Sequence, residues 1–143
     1  MIFIDAATNK EVWFSFRKDL FHDLSEEFNN TEMEDIELSA DKESYLILVN
    51  DEYVGLLELS LRNIVDGCLS SPVAYIEGIY VKAAYRKKDI GSRIVNWAKE
   101  WGRSKNCTEL GSDAELDNID SQYFHKAIGF QETYRTVGFK MDL

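Results

Sequence analysis

A chain of 143 residues, 45% hydrophobic and 13% aromatic, has the length and apolar content for one globular domain spanning 1–143, with a core that needs no metal or disulfide staple. Its 26 acidic side chains outnumber its 16 basic ones, for a formal net charge of −10 at pH 7. Such a surface repels a phosphate backbone almost everywhere, which excludes a general nucleic-acid binder.

MIFIDAA reads as a short first strand, and without a basic segment leading into a long apolar run it does not read as a signal peptide. Thr8, with Glu11 three residues on, has the spacing of a capping box and predicts a helix to about Phe21, striped by Trp13, Phe16 and Leu20. Residues 25–40 are acidic with weaker periodicity (Phe28, Met33, Ile36) and predict a second helix. YLILV (45–49) and VGLLELSLR (54–62) are strands joined by the hairpin turn Asn50-Asp51-Glu52, and such runs are too short to span a membrane. After a loop (63–72) that holds Pro72, VAYIEGIYV (73–81) is a strand in which Gly78 signals a bulge or a close backbone approach. Over 90–104, Ile90, Ile94, Trp97, Ala98 and Trp101 recur on one helical face. CTELGSDA (107–114) is the next strand. A helix follows from about Asn118 to Ile128, closed by Gly129 where a left-handed cap belongs, and FQETYRTVGFKM (130–141) ends the chain as one or two strands. The order β-α-α-β-β-β-α-β-α-β, with hairpins and a single β-α-β crossover, predicts an α+β, or mixed-sheet α/β, fold. Cys68 and Cys107 have no metal-ligand spacing and no nearby histidine, so they read as plain thiols in a reducing, cytoplasmic setting, with no metal site.

Charge is unevenly spread. Residues 82–105 carry Lys82, Arg86, Lys87, Lys88, Arg93, Lys99, Arg103 and Lys105 against only Asp89 and Glu100, whereas 23–43 hold nine carboxylates against Lys42. The basic island lies on a strand–loop–helix unit, YIEGIYV, KAAYRKKDIGSR, IVNWAKEW. Free amides at the start of a helix, a glycine at position 91 and three basic side chains before it suit a compact phosphate. By itself the loop is equally a solvated basic turn.

The stretch Arg86-Lys87-Lys88-Asp89-Ile90-Gly91 resembles the acetyl-coenzyme A signature of the GCN5-related N-acetyltransferases, Gln/Arg-x-x-Gly-x-Gly/Ala. The element order is similar to that family's along the whole chain, and SSPVAYIEGIYVKAAYR, ELGSDAELDN and HKAIGFQET resemble its aminoglycoside 6′-N-acetyltransferase branch. The resemblance implies a mostly antiparallel twisted sheet with a β-α-β cofactor unit and about four flanking helices. It implies acetyl-coenzyme A as co-substrate, its pyrophosphate on amides from Lys88 through Asp89, Ile90 and Gly91 to Ser92, its pantetheine arm along Ile79, Tyr80 and Val81, and a contact from Asn118. Asp89 departs from the signature, standing at its first glycine, although aspartate tolerates left-handed backbone angles better than most residues. The branch often forms homodimers, and YRTVGFKMDL could supply an edge strand to a partner.

A cationic amine acceptor calls for carboxylates, which hold it and help remove its proton. Glu77 lies inside an otherwise apolar strand, where a carboxylate is costly unless paired. By resemblance, Glu77 and Asp113 are acceptor-binding and catalytic candidates, and Phe21, His22, Ile64 and Tyr134 fall at further acceptor positions. Relatives commonly carry Trp at the position of Phe21, Tyr near Ile64 and an acid near Tyr134, so the range of acceptors is open. His125 stands where many relatives place a tyrosine that protonates the leaving thiolate; a packed structural histidine is the other reading, and Tyr123 is a second candidate donor. The expected reaction is acetyl transfer to the 6′-amine of an aminoglycoside. The alternatives are another small polyamine or protein amine as acceptor, or a non-catalytic module that binds coenzyme A or sequesters the drug.

Overall fold

The computed structural model describes residues 1–143. Five strands, β1 (Ile2–Asp5), β2 (Lys42–Val49), β3 (Glu52–Arg62), β4 (Val73–Val81) and β5 (Leu110–Gly111), form one sheet in sequence order. Neighbours are antiparallel except β4 and β5, which run parallel and are joined by the crossover helix α3 (Ile90–Ser104). Helices α1 (Lys10–Leu20) and α2 (Glu26–Leu38) cover one face, and α3 and α4 (Ile119–Ala127) lie on the other. The expected α+β fold is present.

Alternation along the strands sorts the core into two layers. Leu46 and Leu56 pack with Trp13, Phe16 and Met33 from the first two helices, while Ile47, Leu57 and Leu59 pack with Ile90, Ile94, Ala98 and Trp101 of α3. The β2–β3 hairpin closes through Asn50 and Asp51 at φ +51° and +63°, a tight two-residue turn whose twist matches the flanking strands, with Glu52 already paired to Val49.

Three expectations need correction. Asn9, not Thr8, caps α1: its side-chain oxygen accepts from the Val12 amide at 3.2 Å, while the Thr8 hydroxyl donates to the Asp5 carbonyl at 2.7 Å in a short 3₁₀ turn. The strand expected over 107–114 pairs only at Leu110 and Gly111, opposite Ala74 and Tyr75, because the chain then veers from β4. The strand expected over 130–141 is absent. Residues 131–143 are exposed and make no backbone–backbone hydrogen bond, because no edge of this chain's sheet lies against them. Val137, Phe139 and Met141 alternate with polar residues as a strand would, but a strand forms only against a partner.

Candidate active site

The site is organised by an irregularity in β4. Glu58 pairs with Gly78 and Leu59 with Ile76, so Glu77 is one extra residue in the ladder. The insertion lets Ile76 and Ile79 both pack toward α3 while Glu77 and Gly78 both face the α1 side. Gly78 marks a bulge and a close approach together. A Cβ there would stand 2.8 Å from the Leu20 side chain and 3.1 Å from the Phe21 ring, so only glycine lets the end of α1 rest on the strand. Phe21 is thereby held over the bulge, with the Arg17 guanidinium 4.9 Å from its ring centroid.

Beyond the end of α1 the same sheet face carries a connected polar chain. Ser60 donates to Glu77 at 2.6 Å, and Arg62 grips both Glu77 oxygens at 2.8 and 2.7 Å. The Arg62 guanidinium lies 3.6 Å from the Tyr75 ring centroid, and the Tyr75 hydroxyl donates to Asp113 at 2.6 Å. Glu77 and Asp113, far apart in sequence, are thus joined through two side chains. Burial raises the Glu77 pKa, but hydrogen bonds from Arg62 and Ser60, then the charges of Arg62 and Lys42, outweigh it and leave the carboxyl below its ordinary value. Burial, then the hydrogen bond to Asp113, pushes the Tyr75 phenol up. Glu77 therefore stays ionised, with Oε2 accepting from Arg62 alone, which suits holding a cation better than taking a proton. Asp113 is exposed and keeps one oxygen free.

At the other end of β4, the edge facing β5 has no strand partner beyond Tyr75, so Ile79, Tyr80 and Val81 border an open splay. Lys87 and Asp89 take left-handed angles, φ +59° and +62°, and Asp89 precedes α3 without a side-chain cap. The first helical bond runs from Arg93 to the Asp89 carbonyl, so the Ile90, Gly91 and Ser92 amides lack intrahelical partners. Arg86 folds back on the Val81 carbonyl at 2.8 Å, while Lys87, Lys88 and Asp89 are exposed. The Asp89 carboxylate pairs with none of its basic neighbours. A Cβ on Gly91 would stand 2.8 Å from the Phe124 ring, so this glycine is needed for the α3–α4 contact.

Residues 10–130 match the Acetyltransferase (GNAT) family. The chain belongs to this family. Among its GNAT relatives, the aminoglycoside N(6′)-acetyltransferase type 1 of Serratia marcescens is 35% identical, covering 100% of this chain and 99% of the relative. That of Acinetobacter haemolyticus is 37% identical, over 89% and 88%. Of solved structures, the apo aminoglycoside 6′-N-acetyltransferase AAC(6′)-IG from Acinetobacter haemolyticus superposes with a TM-score of 0.91 at 32% identity, covering 100% and 99%. AAC(6′)-Iy in complex with the bisubstrate analog CoA-S-monomethyl-acetylneamine superposes with a TM-score of 0.89 at 29% identity, covering 99% and 97%.

Seen in this GNAT frame, the remaining candidates fall into two groups. His125 and Asn118 are engaged. A carbonyl can only accept, so His125 Nδ1, 2.7 Å from the Ser121 carbonyl, carries the proton, and Nε2 accepts from the Ser112 hydroxyl at 2.7 Å. The half-buried ring is wedged between Phe124 and Phe130, a packed histidine that also reaches the end of β5. Asn118 caps α4 by accepting from the Ser121 amide at 3.1 Å. His22, Ile64, Tyr123 and Tyr134 are exposed and outside the polar chain. The loop bearing Ile64 and the segment bearing Tyr134 meet where Thr133 packs against Gly67. The sequence reading missed Arg62, Ser60, Tyr75 and Ser112. Two of these flank or lie within the quoted blocks, but only the register of β3 on β4 reveals what Arg62 and Ser60 touch.

Proposed function

We propose that this chain transfers the acetyl group of acetyl-coenzyme A to the 6′-amino group of an aminoglycoside, as one domain over residues 1–143 acting in the cytoplasm. The observation that carries the reading is the pair of opposite sites on one strand: free amides and basic side chains past the C-terminal end of β4, and a carboxylate cluster at its bulge. The amides from Lys88 to Ser92, with Arg86 and Lys87, suit a pyrophosphate, and the open backbone of Ile79, Tyr80 and Val81 suits a pantetheine arm in the manner of an added strand. Asn118 closes that side.

On the acceptor side, Glu77 and Asp113 hold the cationic ring system while Phe21 packs against it, and His22, Ile64 and Tyr134 line its approach. The chain's part in the chemistry is placement. The Ile79 amide polarises the thioester carbonyl, the neutral amine forms the C–N bond as the C–S bond breaks, and the proton shed by the acylated nitrogen balances the one taken up by the departing sulfur. His125 serves as its carrier only when both ring nitrogens hold a proton and Nε2 donates to Ser112. No single side chain is then indispensable. The exposed, alternating tail 131–143 supports a homodimer in which it pairs with a second copy.

A thiol-release assay with saturating acetyl-coenzyme A tests the reading against kanamycin, tobramycin, spermidine and lysine peptides. The expected result is much the highest kcat/KM for an aminoglycoside. Release only with spermidine or peptide would move the acceptor to another amine, as the Ile64 and Tyr134 departures permit. No release with any acceptor would overturn acetyl transfer.

A further inference from the structure

We propose that Arg62 is a positioning residue that sets the protonation of the acceptor amine, by neutralising Glu77 so that the cluster presents one net negative charge instead of two. The inference rests on the acetyl-transfer reading and deepens it. An amine must lose its proton before it attacks, yet every carboxylate near it favours the ammonium form. A cluster built only to bind would trap its acceptor in the unreactive state. Arg62 answers that conflict. It spans both Glu77 oxygens and lies flat on Tyr75, so its charge is held in place between Glu77 and the Tyr75–Asp113 pair.

The ionisable and charged groups around this centre are few. Glu77 and Tyr75 come from β4, Asp113 follows β5, and Lys42 reaches from β2. The α1 side contributes the uncharged Phe21 and Leu20 at Gly78. Of the two cations, Arg62 alone bonds the acid. Its side chain is 40% exposed and that of Glu77 32%, so an incoming ligand can reach the pair. An ion pair this open contributes little to stability. A rigid fork on an aromatic ring, placed at a bulge that exists to display Glu77, points to electrostatic work on a ligand.

The test is the pH dependence of single-turnover acetyl transfer to kanamycin in the wild type and in Arg62→Gln, Arg62→Lys and Glu77→Gln. In Arg62→Gln the acidic limb should move up by on the order of one pH unit, with the rate at pH 7 down roughly tenfold. Kanamycin KM should not rise. Arg62→Lys keeps the charge and should keep the limb. Glu77→Gln should move the limb down and raise KM, and this arm stands if Arg62→Gln fails to fold. A slower Arg62→Gln with an unmoved limb, or an unmoved limb in Glu77→Gln, overturns the role of Arg62 while leaving acetyl transfer intact. Absence of turnover in the wild type overturns the underlying reading instead.

Discussion

Two arginine–glutamate pairs lie on the same face of the sheet and do opposite things. Arg17 of α1 and Glu58 of β3 are sealed beneath α1 and α2, with side chains 2% and 4% exposed. Arg62 and Glu77 sit just beyond the end of α1, at 40% and 32%. The sealed pair is saturated. Arg17 also donates to Asn29 at 2.6 Å and to Glu32 at 3.0 Å, and Glu58 accepts from Trp13 at 2.7 Å and from Ser44 at 3.3 Å. It pins two helices to two strands and has nothing left for a ligand. The open pair has the same chemistry in a place a ligand can enter. What separates a structural ion pair from a functional one here is the length of α1, which ends at Leu20 and leaves the second pair uncovered.

The largest test of this contrast is Arg17→Met. It strands a buried carboxylate and should cost about 3–5 kcal/mol, read from urea unfolding midpoints. Arg62→Gln should cost less than about 1 kcal/mol in the same measurement, and a comparable loss would erase the distinction. Between these lies Gly91→Ala, which forces the Phe124 ring aside and should cost about 1–3 kcal/mol while weakening acetyl-coenzyme A binding in a titration. The open pair should also respond to acid. Because the folded pKa of Glu77 is depressed, its contribution is complete above the ordinary carboxylate range and disappears as pH falls through the lower folded value. The small gap between wild type and Arg62→Gln at pH 7 should therefore close as the pH is taken below the ordinary carboxylate range. The smallest effect is expected for Asp89→Gly, which removes an unpaired carboxylate from the cradle at a left-handed position glycine prefers. Acetyl-coenzyme A should bind a few-fold tighter; weaker binding would show that the aspartate helps build the loop.

Much of the fold was legible because its signals are local. The apolar face of α3 and the Asn118 and Gly129 ends of α4 each depend on residues within a turn of one another. Glu77 was conspicuous because a carboxylate inside VAYIEGIYV asks for a partner. The partner could not be read, since Arg62 meets it only through an antiparallel register offset by one residue. Gly91 shows a subtler failure. Its place in a phosphate-binding pattern suggested an open backbone, yet Phe124, more than thirty residues on, fills the space where its Cβ would be. The tail differs for another reason: its alternation is genuine, but no strand of the sheet pairs with it.

The extra residue in β4 has one more consequence. Loss of one codon within a strand normally turns every following side chain inside out, but loss of codon 77 would not. Without Glu77, Ile76 and Gly78 become neighbours in a regular ladder, Ile79 and Val81 still point toward α3, and Tyr80 still points toward α1. The one acid the strand displays is the one residue the sheet can discard. A single in-frame deletion should therefore yield a folded protein without its acceptor anchor, and the reverse event, one inserted codon in a plain strand, is a short route by which such a site can arise.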